Sequence, residues 1–352
     1  MGSVKDLEVV KNPPKDLMGV GRFHFSDRYS VFDWGEMPDH IEGKGAALCL
    51  MGAYCFEKLE SGGINTHFRG LVTQDEKLVS FEELEQPTCI MEFNLVNVFK
   101  PKAYVENGKL KYDYSMFTPN LRNCLIPLEV IYRNGMPEGS SIFKRLERGL
   151  ITVEELGLNH YPKLGERLSK PIFDVSTKLE EKDRYVTWEE AQKIAGLRDE
   201  EVEEVKALLL KVDEMITRIA SEAGLENEDG KIELAFDPER RLMVVDVVGT
   251  LDECRFTYDG LHVSKEIARQ FYRKKGWYRD VEEAKKKAEM EGVNDWRKLC
   301  KSKPPKFDLV LKIIISELYT AAANQLTNRK MFDVPRLAEV IKKYRDYVVQ
   351  IK

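Results

Sequence analysis

The chain has 352 residues, and 55 basic against 60 acidic side chains give it a formal net charge of −5, with 43% of residues hydrophobic. That length suits about two domains, or one large one with insertions, and buries enough surface to need neither disulfides nor a structural metal. The near-even charge argues against a broad nucleic-acid surface, no run reaches the roughly 18–20 apolar residues of a membrane helix, and the opening residues lack a signal-peptide core. Six scattered cysteines (Cys49, Cys55, Cys89, Cys124, Cys254, Cys300) with no C-x-x-C pair, and five histidines, do not suit a zinc site; a cytoplasmic chain with reduced thiols is expected.

In chain order, residues 21–25 alternate in polarity, and 70–79 and 89–99 are short apolar runs bounded by turn residues, which predicts strands. Between them, residues 45–59 carry apolar side chains at helical spacing and run into Ser61-Gly62-Gly63, a helix with its stop. Residues 104–112 read as a hairpin, because Asn107-Gly108 suits a type I′ turn. Thr187-Trp188-Glu189-Glu190 has the form of a capping box at a helix start. From 199 to 223, Val202, Val205, Leu209, Val212, Ile216 and Ile219 recur at three- and four-residue steps, and Gly224 is placed to end that helix. Strands are predicted at 231–236 and 242–248 around the turn Asp237-Pro238-Glu239-Arg240, then helices near 264–275, 281–291, 307–326 and 334–347. The pattern is α+β, strand-rich in front and mixed behind.

Common catalytic signatures are missing. The segment from Gly19 to His24 is not G-x-G-x-x-G, Gly43-Lys44-Gly45 lacks the hydroxyl residue of a Walker A loop, and there is no G-x-S-x-G or H-E-x-x-H. Three charged clusters remain. The first runs from Asp27-Arg28 through Asp33 to Gly43-Lys44-Gly45, where a lysine between glycines ahead of a helix can present ammonium and N–H groups to an anion; an ordinary turn would look the same. In the second, Arg133-Asn134 precedes Gly139-Ser140-Ser141, which resembles a phosphate cradle. The third places Asp229, Lys231 and Glu233 at period two on one strand face, where Asp246 converges with Glu233 if 242–248 pairs alongside. Two carboxylates approached by a lysine suit Mg²⁺ with a nucleotide phosphate, although a solvated charged face gives the same pattern.

Together these clusters resemble the SAICAR synthetase family (phosphoribosylaminoimidazole-succinocarboxamide synthase of purine biosynthesis). Asp27-Arg28-Tyr29-Ser30-Val31-Phe32-Asp33 with Ile41-Glu42-Gly43-Lys44-Gly45 is similar to the family's D-R-x-S-A-F-D and I-P-G-K-G; Pro171 to Lys178 matches P-x-F-x-x-x-T-K, and Asp229-Gly230-Lys231-Ile232-Glu233 matches D-x-K-x-E. Asp246 to Phe256 resembles D-E-x-x-T-P-D-S-S-R-F. The resemblance implies a small β-rich lobe over a larger α+β lobe of ATP-grasp likeness, with boundaries here at 1–95, 96–327 and an extra C-terminal helix at 328–352. It implies an ATP-dependent ligase that joins aspartate to carboxyaminoimidazole ribonucleotide through a phosphorylated carboxylate, using Mg²⁺. Carried over by position, Glu233 and Asp246 hold the metal and nucleotide, Lys231 offsets phosphate charge, and Glu92 and Asn94 belong to an adenine hinge. Asp229 lies near the imidazole, while Arg133, Ser140 and Arg255 hold the ribonucleotide phosphate beside Asp252 and Asp33. Lys44 and Lys178 face the nucleotide phosphates or the reacting carboxylate.

The chain also departs from the family. Ser3 stands where G-K-x-R-D has its lysine, which makes the first hairpin read as short; Val247 replaces the glutamate of D-E; and Glu253-Cys254 replaces two serines, adding charge beside the phosphate site. These departures leave open a ligase of the same fold with another substrate pair, or a nucleotide-binding protein without turnover. The residues near 104–114 and after 327 exceed the usual family length and are expected to form an extra hairpin and helix where copies of the chain meet in a homo-oligomer.

Overall fold

The computed structural model describes residues 4–106, 109–293 and 295–350, so Ser3 and the Asn107-Gly108 turn lie outside the described residues. Strands β1 (Lys5–Lys11), β2 (Gly19–Phe25), β3 (Phe68–Val72), β4 (Leu78–Val79) and β5 (Ile90–Leu95) form an antiparallel sheet in the order β1–β2–β5–β3–β4. The opening hairpin is therefore full length, seven residues in each strand, rather than short. The predicted run at 70–79 divides into β3 and β4, because the polar turn between them closes on itself: Thr73 N–H donates to the Lys77 carbonyl at 2.9 Å, with Glu76 left-handed at φ 60°.

β6 (Lys102–Glu106) and β7 (Lys109–Asp113) make a separate two-stranded hairpin. The second sheet is built from β8 (Cys124–Gly135), β9 (Arg167–Thr177), β10 (Glu226–Phe236), β11 (Leu242–Val245), β12 (Cys254–Tyr258) and β13 (Leu261–Val263). Its order is β13–β12–β10–β8–β9, with β11 also on β10. The two sheets meet along one edge, where the His67 N–H donates to the Val244 carbonyl (3.1 Å) and the Leu125 N–H to the Asn97 carbonyl (2.9 Å).

Helix α1 (Lys44–Ser61) is buried almost all round, as expected of a helix wedged between layers rather than lying on a surface. Gly52 lets it approach the second sheet: a Cβ there would sit 3.1 Å from Val247. The remaining helices are α2 (Ser141–Glu147), α3 (Trp188–Ala195), α4 (Asp199–Glu222), α5 (Glu266–Arg273), α6 (Gly276–Glu291), α7 (Leu309–Leu326) and α8 (Leu337–Gln350). Thr187 caps α3, its hydroxyl accepting the Glu190 N–H at 3.2 Å. All six apolar positions read along α4 are buried, and Gly224 follows its end at φ 71°. One core runs through both sheets and reaches the C-terminal residues, with Leu337, Val340, Ile341, Tyr344 and Tyr347 of α8 buried in it.

Candidate active site

Between the first sheet and β10 lies a cleft of about 910 Å³. A smaller cavity of about 210 Å³ adjoins it beside β8 and β12, and Asp183, Lys231, Asp252, Glu253, Lys265 and Arg269 line both. β10 supplies the charged wall. Its pleat puts Asp229, Lys231 and Glu233 on the same face: Glu233 lines the larger cleft, Asp229, farther along the strand, lines the smaller cavity, and Lys231 between them lines both. β11 pairs with β10 so that Val245 lies opposite Glu233. The chain then leaves the ladder at Asp246, left-handed at φ 65°, a conformation that Asp tolerates better than most residues. The predicted strand thus stops at Val245, and this exit brings the Asp246 carboxylate to the cleft wall. His67 pins the exit: burial pushes its imidazole down to about 4, so it is neutral and its Nε2–H donates to the Asp246 carbonyl at 3.2 Å.

The wall is an interlocked set of opposite charges. Lys178, just past β9, reaches Glu129 of β8 (3.2 Å) and Glu233. Lys231 reaches Glu253 (2.8 Å), Glu129 (3.1 Å) and Glu233 (3.6 Å), and Lys5 of β1 reaches Asp246 (2.8 Å). Burial works against the Lys231 charge, but Glu253, Glu129 and Glu233 outweigh it and hold the ammonium well above its ordinary range. Burial, reinforced by the Asp246 charge, pushes Glu233 up to about 7. Burial also opposes ionisation of Asp246, yet Lys5, Lys178 and Lys231 hold its carboxyl below the ordinary range. A closely spaced carboxylate pair whose partners are lysines is a place where a divalent cation and phosphate oxygens could replace ammonium contacts. Among the described residues no group of three or more His, Cys, Asp or Glu is arranged around a metal. Mg²⁺ needs only one or two carboxylates beside phosphate and water, so Glu233 and Asp246 fit it as an oxygen donor set.

In the smaller cavity, Arg133 of β8 stands opposite Asp229 of β10. Its guanidinium is 2% exposed and engages Asp229 (3.4 Å), Asp174 (3.2 Å), the Ser141 hydroxyl (3.2 Å) and Tyr185 (3.3 Å). Arg255 also reaches Asp229, at 3.2 Å. The hydroxyl beside Arg133 is thus that of Ser141. Ser140, one residue earlier, is buried at the start of α2, lines neither cavity, and leaves its Oγ without a partner among the described residues. Glu253 does not oppose Arg255, because its carboxylate is taken up by Lys231.

Two readings from the sequence are corrected. The Gly43-Lys44-Gly45 turn is not an open anion cradle: Asp27 already accepts the Gly45 N–H (3.0 Å) and the Gly43 N–H (3.3 Å), and Lys44 turns inward. With 0% exposure, its ammonium lies 2.9 Å from Asp252, so it reaches the cleft only through that carboxylate. Glu92 and Asn94 are not presented to a nucleotide either. β5 is an inner strand whose main chain is consumed by β2 and β3; Asn94 N–H donates to the His67 carbonyl (2.7 Å), and Glu92 pairs with Arg22 (3.0 Å) and Arg69 (3.3 Å). Asp33 lines the larger cleft near its rim, 80% exposed and paired with Lys285 (2.7 Å).

Lys5, Glu129, Asp183, Lys265 and Arg269, which no sequence cluster singled out as site residues, complete the two cavities. Glu129 had a readable signal: an acid inside the apolar run from Leu125 to Ile131 must be paired if that run is buried.

Comparison with known proteins gives the family. The profile of the family described as SAICAR synthetase matches residues 13–291. A protein of Archaeoglobus fulgidus, provisionally named a phosphoribosylaminoimidazole-succinocarboxamide synthase, is 53% identical over 346 residues, covering 98% of this chain and 99% of its own. Among solved structures, the SAICAR synthase of Saccharomyces cerevisiae complexed with SAICAR superposes with a TM-score of 0.62 at 21% identity, covering 94% of each chain. A SAICAR synthetase in complex with ADP gives 0.53 at 21% identity, covering 87% of this chain and 99% of its own. The two solved structures share the fold.

Proposed function

The chain belongs to the SAICAR synthetase family, and on that premise we propose that its cleft joins aspartate to carboxyaminoimidazole ribonucleotide while ATP becomes ADP and phosphate. The observation that carries the reading is the meeting, in one cleft, of a carboxylate pair (Glu233, Asp246) and a lysine pair (Lys178, Lys231), next to a cavity holding Asp229 and Arg255. A carboxylate is a poor electrophile, so one of its oxygens first attacks the γ-phosphorus of ATP and the bond to ADP breaks. The aspartate amine then attacks the carbonyl carbon, the carbon–oxygen bond breaks, and phosphate leaves with the amine's proton passing to a base. Neither step needs a covalent enzyme intermediate; what is needed is alignment and neutralisation of charge.

In this reading Lys178 and Lys231 leave Glu129 and Glu233 to meet phosphate oxygens while Lys231 keeps Glu253, and Lys5 leaves Asp246 to do the same from β1. Glu233 and Asp246 would hold Mg²⁺, which would supply positive charge to offset that of the nucleotide phosphates. Asp229, fixed by Arg133 and Arg255, faces the ribonucleotide, whose phosphate meets Arg255. The pairing of Glu253 with Lys231 removes the repulsion that had favoured a different substrate pair. All six cysteines are free thiols, which supports a reducing, cytoplasmic setting.

Purified protein given ATP, Mg²⁺, aspartate and carboxyaminoimidazole ribonucleotide is expected to release ADP and form the amide in equal amounts. Glu233→Ala is expected to abolish both while the circular dichroism spectrum is unchanged. Amide formation only with another acid or amine, or ATP binding without turnover, would overturn the proposal.

A further inference from the structure

The hairpin of β6 and β7 stands outside both sheets with all five β6 residues exposed. A lone two-stranded hairpin is marginal in water, so its geometry should be maintained by what it touches. What it and the residues just after it touch is the segment 178–184, which carries two groups of the cleft. Lys178 begins this segment and bridges Glu129 and Glu233; Asp183, near its end, lines both cavities.

The two ends of the segment are tied by main-chain contacts: Thr177 N–H donates to the Arg184 carbonyl (2.9 Å) and Lys178 N–H to the Pro127 carbonyl (2.9 Å). Between those ties, Leu179 is left-handed at φ 76°, a conformation that a branched side chain holds only when its surroundings enforce it. Among the described residues, the hydrogen bonds that enter the middle of the segment from outside it come from two tyrosines. The Glu181 N–H donates to the Tyr112 hydroxyl at 3.0 Å, and the Tyr114 hydroxyl donates to Glu180 Oε1 at 2.8 Å. Glu180 is a carboxylate only 5% exposed, with Arg184 as its other partner (3.3 Å). Losing the Tyr114 hydroxyl would leave that buried charge under-satisfied and the strained turn unsupported.

We propose that Tyr112 and Tyr114 are positioning residues for the ligation: the hairpin acts as a brace that fixes segment 178–184, and through it the placement of Lys178 and Asp183 in the cleft. This rests on the cleft being the reaction site proposed above. It adds that the hairpin of β6 and β7, which contributes no residue to either cavity among those described, sets the geometry in which the reactants meet.

The test uses the full-length chain with Tyr112→Phe, Tyr114→Phe and the double variant. Each keeps the ring and its packing while removing one hydroxyl. Hydrogen exchange over 178–184 is expected to accelerate by about tenfold or more in the double variant, the loss of a hydrogen bond to a buried charge being of that size, with α4 and α7 unchanged. In turnover, kcat is expected to fall about 10- to 100-fold while the KM for ATP stays within about twofold. Exchange over 178–184 that matches the parent, or kcat unchanged in the double variant, would overturn the proposal. A loss of melting temperature with uniformly faster exchange would also overturn it, since that marks a merely structural role. Exchange is read without any substrate, so the brace is judged separately from the identity of the reaction.

Discussion

Lys44 carries its ammonium into a place closed to solvent, where Asp252 Oδ2 lies 2.9 Å away and Lys265 shares the same carboxylate at 3.2 Å. The Tyr319 hydroxyl donates to the other oxygen at 2.7 Å. Burial lowers the Lys44 ammonium from its ordinary value, with Asp252 pulling the other way. Burial likewise opposes the Asp252 charge, but Lys265 and Lys44 prevail and hold that carboxyl below its usual range. The ion pair therefore persists, and its role is to hold Asp252 and Lys265 at the junction of the two cavities. A residue matching a motif at the right spacing thus works one contact away from where the motif suggested. Removing one partner of a buried pair leaves the other uncompensated, so Lys44→Met is expected to lower the unfolding free energy by about 3–5 kcal/mol. Urea titration of the two proteins reads this directly, and a loss below about 1 kcal/mol would mean that Lys265 and solvent compensate Asp252 alone.

Among the elements, legibility followed how uniformly each buries one face. α4 was legible because its apolar stripe faces the core and its charges face water, so the sequence and the burial pattern carry the same period. β9 and β12 were not, because Asp174 of β9 is buried as a partner of Arg133 and Arg145, and Arg255 of β12 serves Asp229. A strand that carries part of a buried ionic network loses its alternation of apolar and polar residues. α6 begins at Gly276, five residues before the predicted start, because Trp277 is buried at its first turn while its exposed neighbours obscure the period. The residues after 327 read as an extra helix, and they do form one, but α8 packs its apolar face on α7 as part of the common core. A chain ending at Thr327 is therefore expected to lose well over about 5 kcal/mol, from several side chains worth roughly 1.5–3 kcal/mol each. Its soluble yield and melting temperature should both collapse. A truncated protein that melts within a few degrees of the full chain would show that α8 is an appendage.

Across the whole molecule, the near-neutral charge total conceals a cleft in which lysines and an arginine interlock with a larger number of carboxylates. Lys231, Glu233 and Asp246 were legible because β10 and the exit from β11 carry them at short spacing. The remainder of the site was not, because Lys5, Glu129, Asp183 and Lys265 come from β1, β8, the segment after β9 and the start of α5, and only the topology brings them together. Under the proposed function these groups exchange their internal ion pairs for nucleotide phosphates and anionic substrates. In the proposed reaction the carboxylate is activated by phosphorylation in this cleft, and the amine then displaces phosphate. Turnover with carboxyaminoimidazole ribonucleotide whose carboxylate oxygens are both ¹⁸O tests it most directly, by mass spectrometry of the phosphate released. One labelled oxygen in each phosphate, with the other retained in the amide, is the expected result; amide formation with unlabelled phosphate would contradict it.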